Sequence, residues 1–348
     1  MIRDVQRAII TGGAGFIGSH LTRRLQDVHP AADLLVVDDL RGGHFSNLTE
    51  PRPDLSATYR GRFVAAAVGD IDWPALIATE RPDAVFHLAS ITDTTVDDQR
   101  LMMRDNADAF ERLLAACHAA RVPLVWASSA ATYGTQANGA TAARRPFIAD
   151  DAGRPANVYG FSKWIMENMH RRVADTDPDY RIVGLRYFNV FGPGEAYKGR
   201  MASMIGQLAR QVIAGRPPRI FYDGEQARDQ VAVADVVDAT IAAAAAPGVG
   251  APGRRSGIYN VGSGRATTFN EIVTLINEAL GTSHEPEYFE NPYAFYQDYT
   301  CADLSETTAG LNWRPERDPR AAIVEYVRWL AEHDQSARRD GLIPATAR

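Results

Sequence analysis

The chain has 348 residues, 45% of them hydrophobic and 23% charged, with a formal net charge of −6. That is a globular composition, long enough for a dinucleotide-binding core with a smaller appended lobe, and its acidic balance offers no electrostatic footprint for nucleic acid or an anionic membrane. Cys117 and Cys301 stand far apart in no metal or redox spacing, no signal-peptide core follows Met1, and no apolar run reaches membrane-spanning length; the expectation is a cytoplasmic protein without disulfide, metal or membrane anchor.

The first element is an apolar strand, Ala8-Ile9-Ile10-Thr11, that runs into a glycine turn, Gly12-Gly13-Ala14-Gly15, and then into a helix beginning Phe16-Ile17-Gly18. Gly12 permits the tight turn, Gly15 lets the backbone approach a pyrophosphate, and Gly18 lets the helix pack closely on the strand; the amides of Phe16 and Ile17 would face the phosphates. A second apolar strand, Leu34-Leu35-Val36-Val37, ends on Asp38-Asp39, where a carboxylate meets an adenosine ribose. Two carboxylates repel a ribose 2′-phosphate and accept hydrogen bonds from a free 2′-hydroxyl, which favours NAD. Arg41 is the neighbour able to reverse that preference, so NADP is the second choice.

Further strands are predicted over residues 62–67, 84–89, 124–128 and 182–187, separated by amphipathic helical runs such as 106–121 and 158–174. Short apolar strands alternating with helices predict an α/β fold, a Rossmann-type doubly wound parallel sheet with ligands gathered at the carboxyl ends of its strands. Beyond residue 190 the pattern loosens, with Gly192-Pro193-Gly194, Pro217-Pro218 and a Gly- and Pro-rich loop over 247–257. The expected division is a dinucleotide-binding domain over 1–190, a mainly substrate-binding lobe over 191–335 with segments returning to the core, and a polar tail over 336–348.

Two motifs carry chemistry. Tyr159 and Lys163 are four residues apart, hence on one face of a helix, and an ammonium beside a phenol favours the phenolate, moving it toward general-base use at neutral pH. Alone, such a pair reads as a helix-surface Tyr packed on a Lys stem; following a dinucleotide motif it reads as catalytic. Ser129, at the end of the strand Trp126-Ala127-Ser128, is the hydroxyl expected to bind the reacting oxygen, the alternative being a loop serine that satisfies local backbone groups.

The TGxxGxxG spacing resembles the extended short-chain dehydrogenase/reductases, and over most of its length the chain is similar to one family among them, the ADP-glyceromanno-heptose 6-epimerases. The similarity is carried by Thr92-Asp93-Thr94-Thr95 with Met102-Met103 and Asn106, by residues 127–134, and by residues 157–163. Most specific is Arg186-Tyr187-Phe188-Asn189-Val190-Phe191-Gly192-Pro193, continuing through Glu195, Lys198-Gly199 and Met201-Ala202-Ser203; Arg228-Asp229, Tyr296-Gln297 and Thr300 also fit. The resemblance implies that enzyme-bound oxidised nicotinamide removes a hydride from exocyclic C6 of the heptose, leaving a 6-keto intermediate that is reduced from the other face. Inversion presents the carbonyl in two orientations, so an acid/base group on each side of the oxygen is physically reasonable. Tyr159 would be one and Lys198, matching the family's second catalytic residue, the other, with Lys163 positioning the cofactor. Leu88, Ala89, Ser90, Asn106 and Val190 complete the expected cofactor contacts. The expected substrate contacts are Ser129, Asn189, Lys198, Arg200, Gln207, Phe221, Arg228 and Tyr296. The planar fork of Arg228 suits a diphosphate, a salt bridge to Asp229 being the alternative. A homo-oligomer, with a pentamer as its form, is also implied.

The chain departs from the family pattern at Arg200, where a small serine is usual, at Gln207, where a histidine is usual, and after His87, where Glu and Gly are common. The family holds the 2′-phosphate of NADP with an Asn and a Lys, where this chain has Asp39 and Phe45. Sugar dehydratases of the superfamily carry an acidic pair after the Ser; Ala130-Ala131 stand there, which disfavours water elimination. A nucleotide-heptose 4-epimerase or another NAD-dependent nucleotide-sugar epimerase is the alternative reading. From other classes come a net dehydrogenase and a non-catalytic dinucleotide-binding regulator, the latter opposed by Ser129, Tyr159, Lys163 and Lys198 occurring together.

Overall fold

The computed structural model describes residues 5–53, 55, 57–135, 144–245, 256–291 and 296–339. Twelve strands among them are β1 (Arg7–Thr11), β2 (Asp33–Val37), β3 (Arg62–Val64), β4 (Ala84–His87), β5 (Leu124–Ser129), β6 (Ile182–Tyr187), β7 (Asn189–Phe191), β8 (Arg219–Phe221), β9 (Ala227–Ala232), β10 (Gly257–Val261), β11 (Ala266–Thr268) and β12 (Glu287–Phe289). Seven form one sheet in the order β10-β6-β5-β4-β1-β2-β3, every neighbour parallel. The direction of winding reverses between β1 and β4, the switch point of a doubly wound sheet.

The sheet is covered on both faces, as near-continuous apolar strands require. On one face lie α1 (Phe16–Val28), through Leu21 and Leu25, and a helix late in the chain, Val233–Ala245, through Val236 and Val237. On the other lie α2 (Ala109–Ala119), through Phe110 and Leu113, and α3 (Val158–Thr176), through Met166 and Met169. A separate core joins α4 (Met204–Ile213), α5 (Phe269–Leu280) and α6 (Pro319–Arg339) around Leu208, Ile276, Ile323 and Val327. Beside it sit a β11-β9-β7 sheet and a β12-β8 pair. The segment Gly257–Val261 returns to the main sheet as its last strand, against β6.

Several boundaries differ from the sequence-based expectation. The strand expected over 62–67 stops at Val64, because the Ala66 amide turns back onto the Val64 carbonyl at 3.2 Å and frees 65–67 to line the cleft below. The helix expected over 106–121 begins earlier, at Gln99 under an Asp98 cap, passes through a π-helical turn over Met103–Asp108 and ends at Ala119, since Arg121 has φ +58°. The helix expected over 158–174 runs two residues further, to Thr176. The last helix continues to Arg339, into the stretch expected as tail; residues 340–348, and most of the 247–257 loop, lie outside the described residues. Among the described residues both cysteines are free and buried, no group of His, Cys, Asp or Glu is placed to hold a metal ion, and no helix is long and apolar enough to cross a membrane.

Candidate active site

The carboxyl ends of β1, β4, β5 and β6 open into one cleft of about 2360 Å³, well beyond the several hundred Å³ of a drug-sized pocket and roomy enough for two nucleotide ligands. Its floor is the glycine turn. Gly12 has φ +72°, and a Cβ there would stand 2.5 Å from the Ala89 amide nitrogen, so only glycine lets β1 and β4 approach at the switch point. A Cβ on Gly18 would lie 2.0 Å from the Gly12 carbonyl oxygen. α1 starts at Phe16 with no side-chain cap, so its first-turn amides are left for an anion. The Ser90 hydroxyl on the same wall is buried without a partner among the described residues. A turn that excludes side chains, uncapped helix amides and an unmatched hydroxyl fit a dinucleotide.

At the end of β2, buried Asp38 accepts the amides of Ala14 at 2.9 Å and Leu40 at 2.8 Å, bracing the turn, and burial raises its pKa. Arg41, the residue able to favour NADP, is held by Asp39 at 2.5 Å and Asp105 at 2.6 Å. Asp105 also takes Arg104 at 2.7 Å, so Asp38, Asp39 and Asp105 face Arg41 and Arg104, and the local balance is against a 2′-phosphate, in keeping with NAD. Leu88, Ala89 and Val190 line the cleft, but Asn106 does not. Its carboxamide is buried and consumed, accepting the Ile91 amide at 2.8 Å and donating to the Ile91 carbonyl and the Ser162 hydroxyl, both at 3.0 Å. The π-helical turn points it inward, so Asn106 supports the cleft wall without facing the cleft.

Ser129 ends β5, and Asn157 caps α3 by accepting the Gly160 amide at 2.8 Å, which sets Tyr159 in the first turn. Ser129 and Tyr159 share a hydrogen bond, and Ser129 also accepts the Ala131 amide at 3.1 Å, so the local and functional readings of this serine coexist. The expectation that Lys163 pulls the phenol down does not hold here. Burial holds Tyr159 above its ordinary pKa, with the Ser129 hydrogen bond opposing. Lys163 lies 6.0 Å from the Tyr159 ring centre, donates to the Ala127 carbonyl at 2.8 Å, and is itself brought down by burial to about 7, with Glu167 opposing. A partly neutral ammonium tied to a carbonyl is a weak lever on the phenol.

Lys198 lies in a tight 3-10 segment, Glu195–Met201, with its ammonium 5.5 Å from the centre of the Phe16 ring; burial lowers its pKa and Glu195 opposes. Buried Glu195 accepts the Ser203 amide at 2.7 Å, the Ser203 hydroxyl at 2.6 Å and the Tyr326 hydroxyl at 2.7 Å, closing this loop on itself and onto α6. Gln207, expected on the substrate, also lines the cleft but donates to the carbonyls of Ala202 at 2.7 Å and Arg200 at 3.2 Å. Exposed Arg200 reaches across the cleft to the Thr95 hydroxyl at 3.1 Å.

Asn189, Phe221, Arg228 and Tyr296 form the far wall. Arg228 is buried, 4.8 Å over the Tyr296 ring, with a hydrogen bond to that tyrosine, and burial lowers its pKa. It does not pair with Asp229, whose oxygens take the amides of Ser263, Gly264 and Ala302 and the Ser263 hydroxyl at 2.6–3.0 Å. A buried guanidinium on a cleft wall, with no carboxylate bond among the described residues and, of carboxylates, only the charge of Asp298 acting on it, suits an anionic ligand.

Sequence reasoning missed the support beneath. Glu167 and Arg186 make a bidentate pair at 2.8 and 2.7 Å, both buried; Ser128 donates to Glu167 at 2.7 Å, and Arg186 to the Tyr133 hydroxyl at 2.9 Å. Glu167 stands one turn after Lys163, a spacing visible in the sequence, but its partner comes from β6.

A doubly wound sheet with a glycine turn at its switch point and a Ser-Tyr-Lys group in the same cleft defines an enzyme of nicotinamide-dinucleotide chemistry. A model of the NAD dependent epimerase/dehydratase family matches residues 8–262, and the chain belongs to that family. The ADP-L-glycero-D-manno-heptose-6-epimerase of Alkalilimnicola ehrlichii is 38% identical over 315 residues, 86% of this chain and 90% of that one. The crystal structure of Helicobacter pylori ADP-L-glycero-D-manno-heptose-6-epimerase matches with TM-score 0.80 at 34% identity, covering 94% of this chain and 96% of that one. MoeE5, solved with UDP-glucuronic acid and NAD, matches with TM-score 0.76 at 27% identity over 94% of this chain and 99% of its own.

Proposed function

We propose that this chain is an ADP-L-glycero-D-manno-heptose 6-epimerase that uses NAD. The observation that carries the reading is the meeting of Ser129, Tyr159 and Lys198 in one cleft whose far wall holds the buried Arg228. Bound NAD supplies a reversible hydride acceptor. Ser129 and Tyr159 hold the reacting hydroxyl oxygen, and Tyr159, whose phenolate the positive charge of bound NAD would favour against burial, takes the proton and returns it. Lys198, with its ammonium destabilised by burial, is the second proton-transfer group, the one an inverted carbonyl needs. Arg228 holds the diphosphate, with Asn189, Phe221 and Tyr296 around the nucleotide sugar. In this division residues 1–190 serve the cofactor and 191–335 mainly the substrate. The two free buried thiols suit a reducing compartment, the cytoplasm, and the family resemblance supports a homo-oligomer, which light scattering tests.

The decisive experiment is proton NMR of the purified enzyme with ADP-D-glycero-D-manno-heptose in deuterated water, no cofactor added. The expected result is conversion to the L-glycero epimer at C6 without deuterium uptake. Inversion at another carbon assigns a sister epimerase such as a nucleotide-heptose 4-epimerase, and stoichiometric consumption of added NAD assigns a net dehydrogenase. Ligand binding without turnover assigns a regulator.

A further inference from the structure

Gln230 is a cleft residue that neither the glycine turn nor the Ser-Tyr-Lys group accounts for. It stands in β9 opposite Asn189 of β7 and two residues beyond Arg228, so Arg228 and Gln230 leave the strand on the same face. Both line the cleft and both are buried, Gln230 with 2% of its surface exposed. Its side-chain oxygen Oε1 meets no hydrogen-bond partner among the described residues. Folded proteins leave few buried carbonyl oxygens unmatched, because each loses its water without a replacement. Gln230 lines a ligand-binding wall with that oxygen closed to water, so a donor that enters with a ligand and is met by a rotation of the side-chain amide is what would match it.

The position indicates which part of the ligand supplies that donor. Arg228 packs on Tyr296, which meets Phe221 edge-on at 5.4 Å, so the aromatic surface suited to a base lies on the Arg228 side. Gln230 is one step along the strand from there, beside Asn189. The Asn189 strand follows directly on β6, whose Tyr187 is in register with Ser129. Gln230 therefore stands between the diphosphate-binding arginine and the catalytic strand ends, where the carbohydrate must lie. We propose that Gln230 reads the carbohydrate part of the substrate, its Oε1 accepting a hydrogen bond from a sugar hydroxyl; this rests on the nucleotide-sugar reading above.

The test compares Gln230 with Gln230→Met, which keeps the length and removes the acceptor, both in a Tyr159→Phe background that holds turnover off. Calorimetric titrations of the NAD-loaded proteins use ADP and ADP-D-glycero-D-manno-heptose. The expected result is unchanged affinity for ADP and about tenfold weaker binding of the sugar nucleotide, the size of one lost hydrogen bond. Equal weakening of both ligands overturns the proposal by placing the contact on the nucleotide, and no weakening of either makes Gln230 a packing residue. If Gln230→Met fails to fold, a crystal structure of the Tyr159→Phe protein, Gln230 intact, with both ligands decides. Oε1 within about 3.2 Å of a sugar hydroxyl supports the proposal, and Oε1 facing only protein or water overturns it. Should the Gln230 protein bind UDP-glucose and not ADP-heptose, the substrate named above fails, and the same comparison with UDP and UDP-glucose decides Gln230 separately.

Discussion

Burial acts in opposite senses on Tyr159 and Lys163, one helical turn apart: it raises the phenol and brings the ammonium down to about 7. Both shifts disfavour the charged form, so in the cofactor-free cleft the phenol stays protonated while the ammonium is partly neutral at pH 7. Tyr159→Phe removes only the ionisable hydroxyl. It is expected to lower turnover by at least about 100-fold with the fold and bound NAD retained; steady-state rates with cofactor absorbance check this, and unchanged turnover removes Tyr159 from its role. Lys163 also makes stability depend on pH. Below pH 7 it is protonated both folded and unfolded, whereas between about 7 and its ordinary value of 10.5 the unfolded chain binds the extra proton. The folded state therefore gains stability as pH rises through that window. Urea midpoints of the cofactor-free protein, measured against Lys163→Met, should diverge in favour of the native lysine from pH 7 to 10, and a constant difference would contradict the shift. The spacing of this pair was legible in the sequence because it is local to one helix. The direction of the phenol shift was not, because burial is a property of the packed cleft.

At the scale of elements, the loop that carries Lys198 is held by its own ends and by a distant helix, through Glu195, Ser203 and Tyr326. Tyr326→Phe removes one of these bonds and is expected to cost about 1 kcal/mol of stability. Because the loss falls on the loop that carries Lys198, the proposed second proton-transfer group, kcat should drop while NAD retention stays at the native level. Thermal denaturation and turnover measured together check this; loss of NAD with unchanged kcat would place the effect elsewhere. The motif through Lys198 and Ser203 was visible as a run of residues, yet its clamp was not, since Tyr326 follows Glu195 by 131 positions. Element ends were misread where local geometry overrode periodicity. Examples are the π-helical turn that buries Asn106 and the Ala66 amide that closes β3 early.

Across the whole molecule, the Glu167–Arg186 pair ties α3 to β6, and the Ser128 hydroxyl adds β5, under both Ser129 and Lys163. Glu167→Leu leaves the Arg186 guanidinium buried without its carboxylate and is expected to cost about 3–5 kcal/mol, whereas Glu167→Leu with Arg186→Met should cost less than the single change. Denaturant unfolding of the three proteins measures the order, and a double variant less stable than Glu167→Leu alone would mean that the Arg186 bonds to Tyr133 and Ala149 outweigh the cost of its unpaired charge. The sequence by itself determined the glycine turn, the alternation of strands and helices, the one-turn spacing of Tyr159 and Lys163 and the family, since each depends on residues close together in the chain. Only the tertiary structure decided that Arg41 is neutralised by Asp39 and Asp105, that Arg228 is free of Asp229, that Asn106 turns inward and that Gln230 leaves an oxygen unmatched on the cleft wall. Each of those outcomes depends on burial or on partners far away in the chain, and electrostatic and hydrogen-bonding roles are assigned only when packing has removed the water that would otherwise satisfy every group.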